Sequence, residues 1–260
     1  MDLWSLGFLA LVGAVSFLLA FYGSAVGLVL GHLRLPLLIY FLPSTAAGMA
    51  TNLAISGAGA LTGALGHAWA GRVNLRLLAL MGLPSLLGAA LGGLFLIQVD
   101  SSWVRGGIGL FLLGTGYNLA RGKPSTSAGE VRFTPWRALS EIVIGLFLGF
   151  LAALTGLMLG SVRLPMMIRI LKVDPTEAVG TNMAIGCLTA ISGAFSLWPR
   201  EISLPWLPLL IAVPPTVLGG YLGAYYTGKM NKDTLRIVVG WTIILLGIGM
   251  TAEAIWRLLV

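Results

Sequence analysis

The 260-residue chain is 57% hydrophobic and only 10% charged, with a mean hydropathy of +0.94. Soluble domains carry about 25% charged residues, so the composition excludes an ordinary water-soluble globule and points to a multi-pass membrane protein. A net charge of +7 would suit nucleic acid in a soluble protein; here Lys and Arg punctuate apolar runs, which points to lipid headgroups and away from nucleic acid.

The first apolar run, Leu3–Leu33, follows Asp2, lacks the basic flank of a secretory signal and is too long for a signal core. It predicts the first span. Within it Gly23, Gly27 and Gly31 recur every four residues, a spacing that lines one helix face. The next run, Leu35–Gly71, has 37 residues, about 55 Å as a helix against about 30 Å of hydrocarbon. Pro36 and Pro43 therefore predict a short, partly inserted helix from Pro36 to about Leu42, with a full span starting near Ser44. Leu77–Val99 predicts the third span. Gly106–Ala120 predicts a shorter fourth, with Arg105 and Arg121 snorkelling outward. Arg121–Glu141 is the most hydrophilic stretch and reads as a solvated linker. Beyond it, Ile142–Val162, Ala178–Pro199, Ile202–Gly228 and Ile237–Ala252 predict four more spans, the last with Arg236 snorkelling.

The second set repeats the first. Gly27-Leu-Val-Leu-Gly31-His-Leu-Arg34-Leu-Pro36 matches Gly156-Leu-Met-Leu-Gly160-Ser-Val-Arg163-Leu-Pro165, and Thr51-Asn52-Leu-Ala-Ile matches Thr181-Asn182-Met-Ala-Ile. Pro84 falls opposite Pro214 and Gly93 opposite Gly223, all at an offset of 129 to 130 residues. The expected architecture is all-α, about eight transmembrane helices in two homologous four-span halves, 1–120 and 138–260. Each half holds a short broken or re-entrant helix, and 121–137 links them. Four spans per half predicts parallel repeats; a short helix that crosses would make them inverted. The positive-inside rule leaves orientation open, since eight Lys/Arg fall on each side.

Three sets of residues could carry chemistry. Arg34 and Arg163 each follow a glycine-rich helix end and precede a proline suited to the first turn of the next helix. A helix start favours anions, and an Arg beside it adds a planar fork; the alternative is an Arg that snorkels to lipid phosphate. Thr51-Asn52 and Thr181-Asn182 lie inside predicted spans. Asp174-Pro175-Thr176-Glu177 reads as a helix start, which puts Asn182 eight positions in, about 12 Å along the axis. These amides could bind substrate or join helices. The helix-break glycines and prolines, Gly27, Gly31, Pro36, Gly156, Gly160 and Pro165, bring backbone close, and the glycine ladders would also suit a homodimer.

What is missing narrows the class. No apolar run contains Asp or Glu, which argues against a cation substrate and a carboxylate proton relay. His32 and His67 read as structural or interfacial, and the single cysteine, Cys187, as a small buried side chain. No P-loop, metalloprotease motif or nucleophile elbow occurs, so no enzyme, metal or cofactor is expected.

With its two Gly…Pro motifs, two halves and central hydrophilic loop, the chain resembles the TauE/SafE family of sulfite and organosulfonate exporters, also called toluene-sulfonate uptake permeases. The usual motif has three consecutive glycines ending five residues before the proline. Gly31 and Gly160 keep the last of them, while Val29-Leu30 and Met158-Leu159 replace the others; the usual Thr-Ser is Thr-Asn here. The resemblance implies a duplicated four-span fold in the bacterial inner membrane, moving small sulfur-containing anions, with substrate at the matched positions. A passive anion channel on the same scaffold, or a non-transporting subunit of a membrane complex, stays open beside it.

Overall fold

Every regular element of the computed structural model is helical among the residues it describes, which are 3–35, 37–38, 42, 45–94, 101–121, 134–155, 159–197 and 206–259. The helices are α1 (Leu3–Val26), α2 (Thr45–Trp69), α3 (Leu75–Leu77, Leu78–Gly82 and Leu83–Leu94), α4 (Ser101–Arg121), α5 (Pro135–Thr155), α6 (Gly160–Arg169), α7 (Pro175–Leu197), α8 (Trp206–Thr227) and α9 (Lys232–Leu259). Among the described residues, Gly7–Val26, Trp206–Thr227 and Lys232–Trp256 are each long and apolar enough to cross a bilayer by themselves. The chain is thus an all-α, multi-pass membrane protein.

Local sequence sets the helix ends. Asp174 caps α7: its carboxylate accepts the Thr176 N–H at 3.0 Å, and Pro175 fills the first position, where no N–H is needed. Glu177, three residues after the cap, accepts from Asn74 Nδ2 at 2.8 Å. Asn74 in turn caps α3, taking the Leu77 N–H at 2.9 Å. The middle of α3, Leu78–Gly82, widens into a π-helical turn, since Pro84 has no N–H for the Leu80 carbonyl.

The first glycine ladder does not line one helix face, as its spacing suggested. Gly27 has φ +75° and ends α1: Leu28 N–H bonds Gly23 O at 2.7 Å and Gly27 N–H bonds Ser24 O at 3.3 Å. This pair of bonds is a Schellman stop. Gly31 begins a separate 3-10 turn, Gly31–Leu33. In the second half Gly160 opens α6, and Gly156 lies outside the described residues. Pro165 sits inside α6, not in its first turn. The matching Pro36, with Pro43 and the Ser44 cap, also lies outside, although Leu38 N–H bonds Arg34 O at 3.2 Å, so helical bonding resumes at the expected place.

The packing falls into two units, each drawing on both sequence halves. Unit 1 is Met1–Val73 with Val179–Lys229, and unit 2 is Asn74–Ala178 with Met230–Val260. In unit 1, Gly13 of α1 faces Ile211 of α8, and a Cβ at Gly223 of α8 would strike the Phe21 carbonyl. The register rises together, so α1 and α8 run parallel. Helix α2 also runs parallel to α8, with Gly59 against Thr216 and Gly66 against Ala224. Since α1 and α2 point the same way, residues 27–44 must carry the chain back. In unit 2, Gly145 lies on the Met81 carbonyl and Gly149 on the Ser85 carbonyl, so α5 and α3 are parallel too.

Matched helices of the two halves run oppositely. In unit 1 a Cβ on Gly57 of α2 would lie 3.6 Å from Ala190 Cβ of α7, and one on Gly63 would lie 3.2 Å from Met183 Cγ. In unit 2 the corresponding distances are 3.4 Å from Gly106 of α4 to Ala254 Cβ of α9, and 2.9 Å from Gly116 to the Gly240 carbonyl oxygen. Antiparallel equivalents mean inverted repeats, which corrects the parallel expectation.

Candidate functional site

The break after α1 gathers the polar residues of unit 1. Arg34 follows the 3-10 turn and is 2% exposed. Its Nη1 donates to Ser16 Oγ of α1 at 3.0 Å. Its Nη2 donates to Asn52 Oδ1 and Ser56 Oγ of α2, both at 3.0 Å, and Nε reaches the same Asn52 oxygen at 3.2 Å. The guanidinium therefore points into protein and does not snorkel to lipid. Its partners are neutral dipoles. Among the described residues Arg34 forms no ion pair, so its positive charge is held in place without a described carboxylate to cancel it. A buried charge is tolerated only when its donors are satisfied, and Asn and Ser meet that condition while leaving the field available to an anion.

Gly31 is required here. A Cβ on it would collide with Ser56 Oγ and sit 3.4 Å from Asn52 Oδ1, displacing two of the groups that hold Arg34. Gly27 serves the same break from the other side. Asn182 Nδ2 of α7 donates to the Gly27 carbonyl at 2.7 Å, and a Cβ on Gly27 would press on the Val179 backbone. Asn52 thus accepts from the arginine, whereas Asn182 pins the backbone of the helix end. Thr51 and Thr181 are fully buried beside them, and Thr51 Oγ1 has no hydrogen-bond partner among the described residues.

Arg34, Gly31 and Ser56 line a cavity of about 20 Å³ together with Leu28, Met183 and Thr216. That volume suits about one water molecule. The break brings together Arg34, Asn52, Asn182, Gly27 and Gly31, with Thr51 and Thr181 buried next to the two asparagines along α2 and α7. Ser16 and Ser56 complete it and were not singled out from the sequence; Ser56 lies one turn beyond Asn52, the spacing that shares a helix face.

Arg163 belongs to unit 2. It lies in the first turn of α6 and is 2% exposed, so it too is turned away from lipid. Leu159, the residue at the N-cap of α6, offers no side-chain cap. Arg236, expected to snorkel, is 8% exposed and donates to the Leu119 carbonyl at the end of α4 at 3.3 Å. Helix C-termini attract cations, and this one holds the arginine inside. His67 is buried with Nε2 3.0 Å from the Ser24 carbonyl oxygen, in keeping with a structural role.

The profile of the family described as Sulfite exporter TauE/SafE matches residues 12–250. Two Bacillus subtilis (strain 168) proteins are similar. "Probable membrane transporter protein YunE" is 30% identical over 187 residues, covering 66% of this chain and 67% of that protein. "Probable membrane transporter protein YtnM" is 27% identical over 188 residues, covering 69% of this chain and 61% of that protein. No solved structure matches.

Proposed function

The chain belongs to the TauE/SafE family of membrane transporters, and from that premise we propose that it exports small sulfur oxyanions, sulfite or organosulfonates, across a bacterial inner membrane. The observation that carries this is the charge of Arg34, buried at a helix break and held by the neutral side chains of Ser16, Asn52 and Ser56. Broken helices are where transporters bind ions, because the break exposes backbone groups and lets side chains converge. A guanidinium fork matches two oxygens of an oxyanion. On this proposal Arg34 and Arg163 attract the anion, Thr51, Asn52, Thr181 and Asn182 shape its binding, and Gly27, Gly31, Pro36, Gly156, Gly160 and Pro165 keep the breaks open.

Exposed tryptophans at helix ends, Trp69, Trp136, Trp206 and Trp256, suit the aromatic belts of a bilayer-embedded protein.

A thermal-shift panel tests the cargo class. Purified protein is heated with sulfite, sulfate, taurine, acetate or chloride. A ligand that binds only the folded state raises Tm by mass action. Selective stabilisation by sulfur oxyanions is expected. Stabilisation by acetate or chloride alone would remove the sulfur cargo and leave the fold standing.

A further inference from the structure

Arg72 follows the end of α2 in unit 1. Gly71, at φ +69°, turns the chain there. Arg72 N–H bonds the His67 carbonyl at 2.9 Å and Gly71 N–H bonds the Ala68 carbonyl at 3.0 Å, a second Schellman stop. The Arg72 side chain then crosses to α8, where Nη1 donates to the Ala224 carbonyl at 2.6 Å. That carbonyl lies in the last turn of α8, where carbonyls lack helical partners and attract cations. A guanidinium carries five N–H donors. Among the described residues this one makes no other hydrogen bond and no ion pair, so it is fixed in place with most of its fork open.

The fixed guanidinium forms one wall of a cavity of about 210 Å³, far larger than the one beside Arg34. The other walls come from α2 and α8. Gly66 and Ala224 bring the helices together, a Cβ on Gly66 lying 2.8 Å from Ala224 Cβ. Trp69, Tyr221 and Tyr225 line the same cavity and are all exposed. Lys229, just past α8, lies over the Tyr225 ring with Nζ 4.6 Å from its centroid. Two cations thus share this helix end. The acids in the sequence of unit 1 are Asp2, which precedes α1, and Glu201, which precedes α8, whereas the cavity lies where α8 ends. The charge here calls for an anion. Exposed Trp and Tyr at a helix end mark headgroup depth, and basic pockets between membrane helices suit lipid phosphate. A choline group is disfavoured, because the Tyr225 face that would hold it already carries Lys229.

We propose that Arg72 and Lys229, with Trp69 and Tyr225, form a binding site for the phosphate of an anionic phospholipid where α2 and α8 end. The phosphate takes the open edge of the Arg72 fork, and Lys229 adds charge. The glycerol and first acyl carbons lie against Trp69 and Tyr221. This site shares no lining residue with the cavity beside Arg34 and does not depend on the transported cargo.

Native mass spectrometry of the purified full chain, reconstituted with phosphatidylglycerol or phosphatidylcholine, reads the site. Wild type should retain phosphatidylglycerol in preference. Arg72→Gln should weaken that binding by about tenfold or more, the scale of a charge-assisted bond. Lys229→Gln should weaken it about fivefold, the worth of one cation near a lipid surface. Lys232→Gln is the control: Lys232 is exposed and already paired with Asp174 at 2.6 Å, so binding should match wild type. If Arg72→Gln fails to fold for want of its bond to α8, Lys229→Gln leaves that bond in place and carries the test alone. Calorimetry with inorganic phosphate in lipid-free detergent separates a free anion from a headgroup. No preference for phosphatidylglycerol in wild type overturns the proposal. So does wild-type lipid binding in a folded Arg72→Gln protein, or an equal loss in the Lys232 control. Inorganic phosphate bound through Arg72, with lipid binding unchanged by the variants, would make this a soluble-anion site and overturn the lipid assignment.

Discussion

At Arg34 four hydrogen bonds, donated to the neutral side chains of Ser16, Asn52 and Ser56, hold one buried charge. Removing the charge and removing the support have different consequences. Arg34→Ala leaves the buried Ser16 and Ser56 hydroxyls and the half-buried Asn52 amide oxygen without their donor and should cost about 3 kcal/mol or more, at about 1–3 kcal/mol for each buried group left unsatisfied; a melting curve reads it. Ser56→Ala loses one bond and should cost about 1–2 kcal/mol. Gly31→Ala should be worse than Ser56→Ala, since its Cβ collides with Ser56 Oγ, and combining the two should relieve the clash. A double variant no more stable than Gly31→Ala alone would refute that contact. Arg34 and Asn52 were each legible as candidates in the sequence, because both recur in the two halves at offsets of 129 and 130; that they bond each other was not. Ser16 was not: it is a lone hydroxyl in an apolar run, and only folding the chain back at residues 27–44 brings it to the arginine.

Among the helices, glycines divide into those that touch and those that do not. Gly116 of α4 lies against the Gly240 carbonyl of α9, whereas Gly114, two residues away, has nothing within 4 Å of a Cβ. Gly116→Ala should therefore cost about 1–3 kcal/mol through overpacking. Gly114→Ala should be neutral or stabilising by up to about 1 kcal/mol, from helix propensity and lost unfolded-state freedom. Similar losses at both positions would mean that α4 and α9 do not meet as described. The start of α7 offers a pH test. Burial alone would raise the Asp174 carboxyl pKa, but hydrogen bonds from Lys232 and the Thr176 N–H, with the charge of Lys232, hold it below the usual carboxylate range. A depressed folded pKa means the stabilisation is present above the unfolded pKa, near 4, and is lost as pH falls through the folded value. Because Lys232 is largely exposed, this amounts to about 1 kcal/mol or less, and Asp174→Asn should flatten the acid limb of stability by that amount. The Asp-Pro start was plain in the sequence. The stop at Gly27 was not, since four-residue glycine spacing looks the same in a helix face and in a helix end followed by a new turn.

For the molecule as a whole, the duplication is built as inverted repeats whose first helices are exchanged: α1 of the first half packs on α8 of the second in unit 1, and α5 of the second packs on α3 of the first in unit 2. Sequence showed the duplication but not its sense, because counting spans treated the break as a detour. A signal was available in Gly109 and Gly116, which match Gly240 and Gly247 at an offset of 131 and cross antiparallel. Cysteine pairs test this directly. In a Cys187→Ala background, Gly106→Cys/Ala254→Cys and Gly57→Cys/Ala190→Cys should each form an intramolecular disulfide, their Cβ separations of 3.4 and 3.6 Å being near the usual range. Parallel repeats would allow neither pair.

If an oxyanion passes by the buried charge of Arg34, purified protein must carry sulfite into proteoliposomes. Wild type is compared with Arg34→Lys, which keeps the charge, loses the fork, and is reconstituted at equal density with its Tm checked. The account predicts saturable flux in wild type and a loss of about tenfold or more in the variant, the scale of a lost bidentate charge-assisted contact. No sulfite flux in wild type, or equal flux in a folded Arg34→Lys protein, would contradict it.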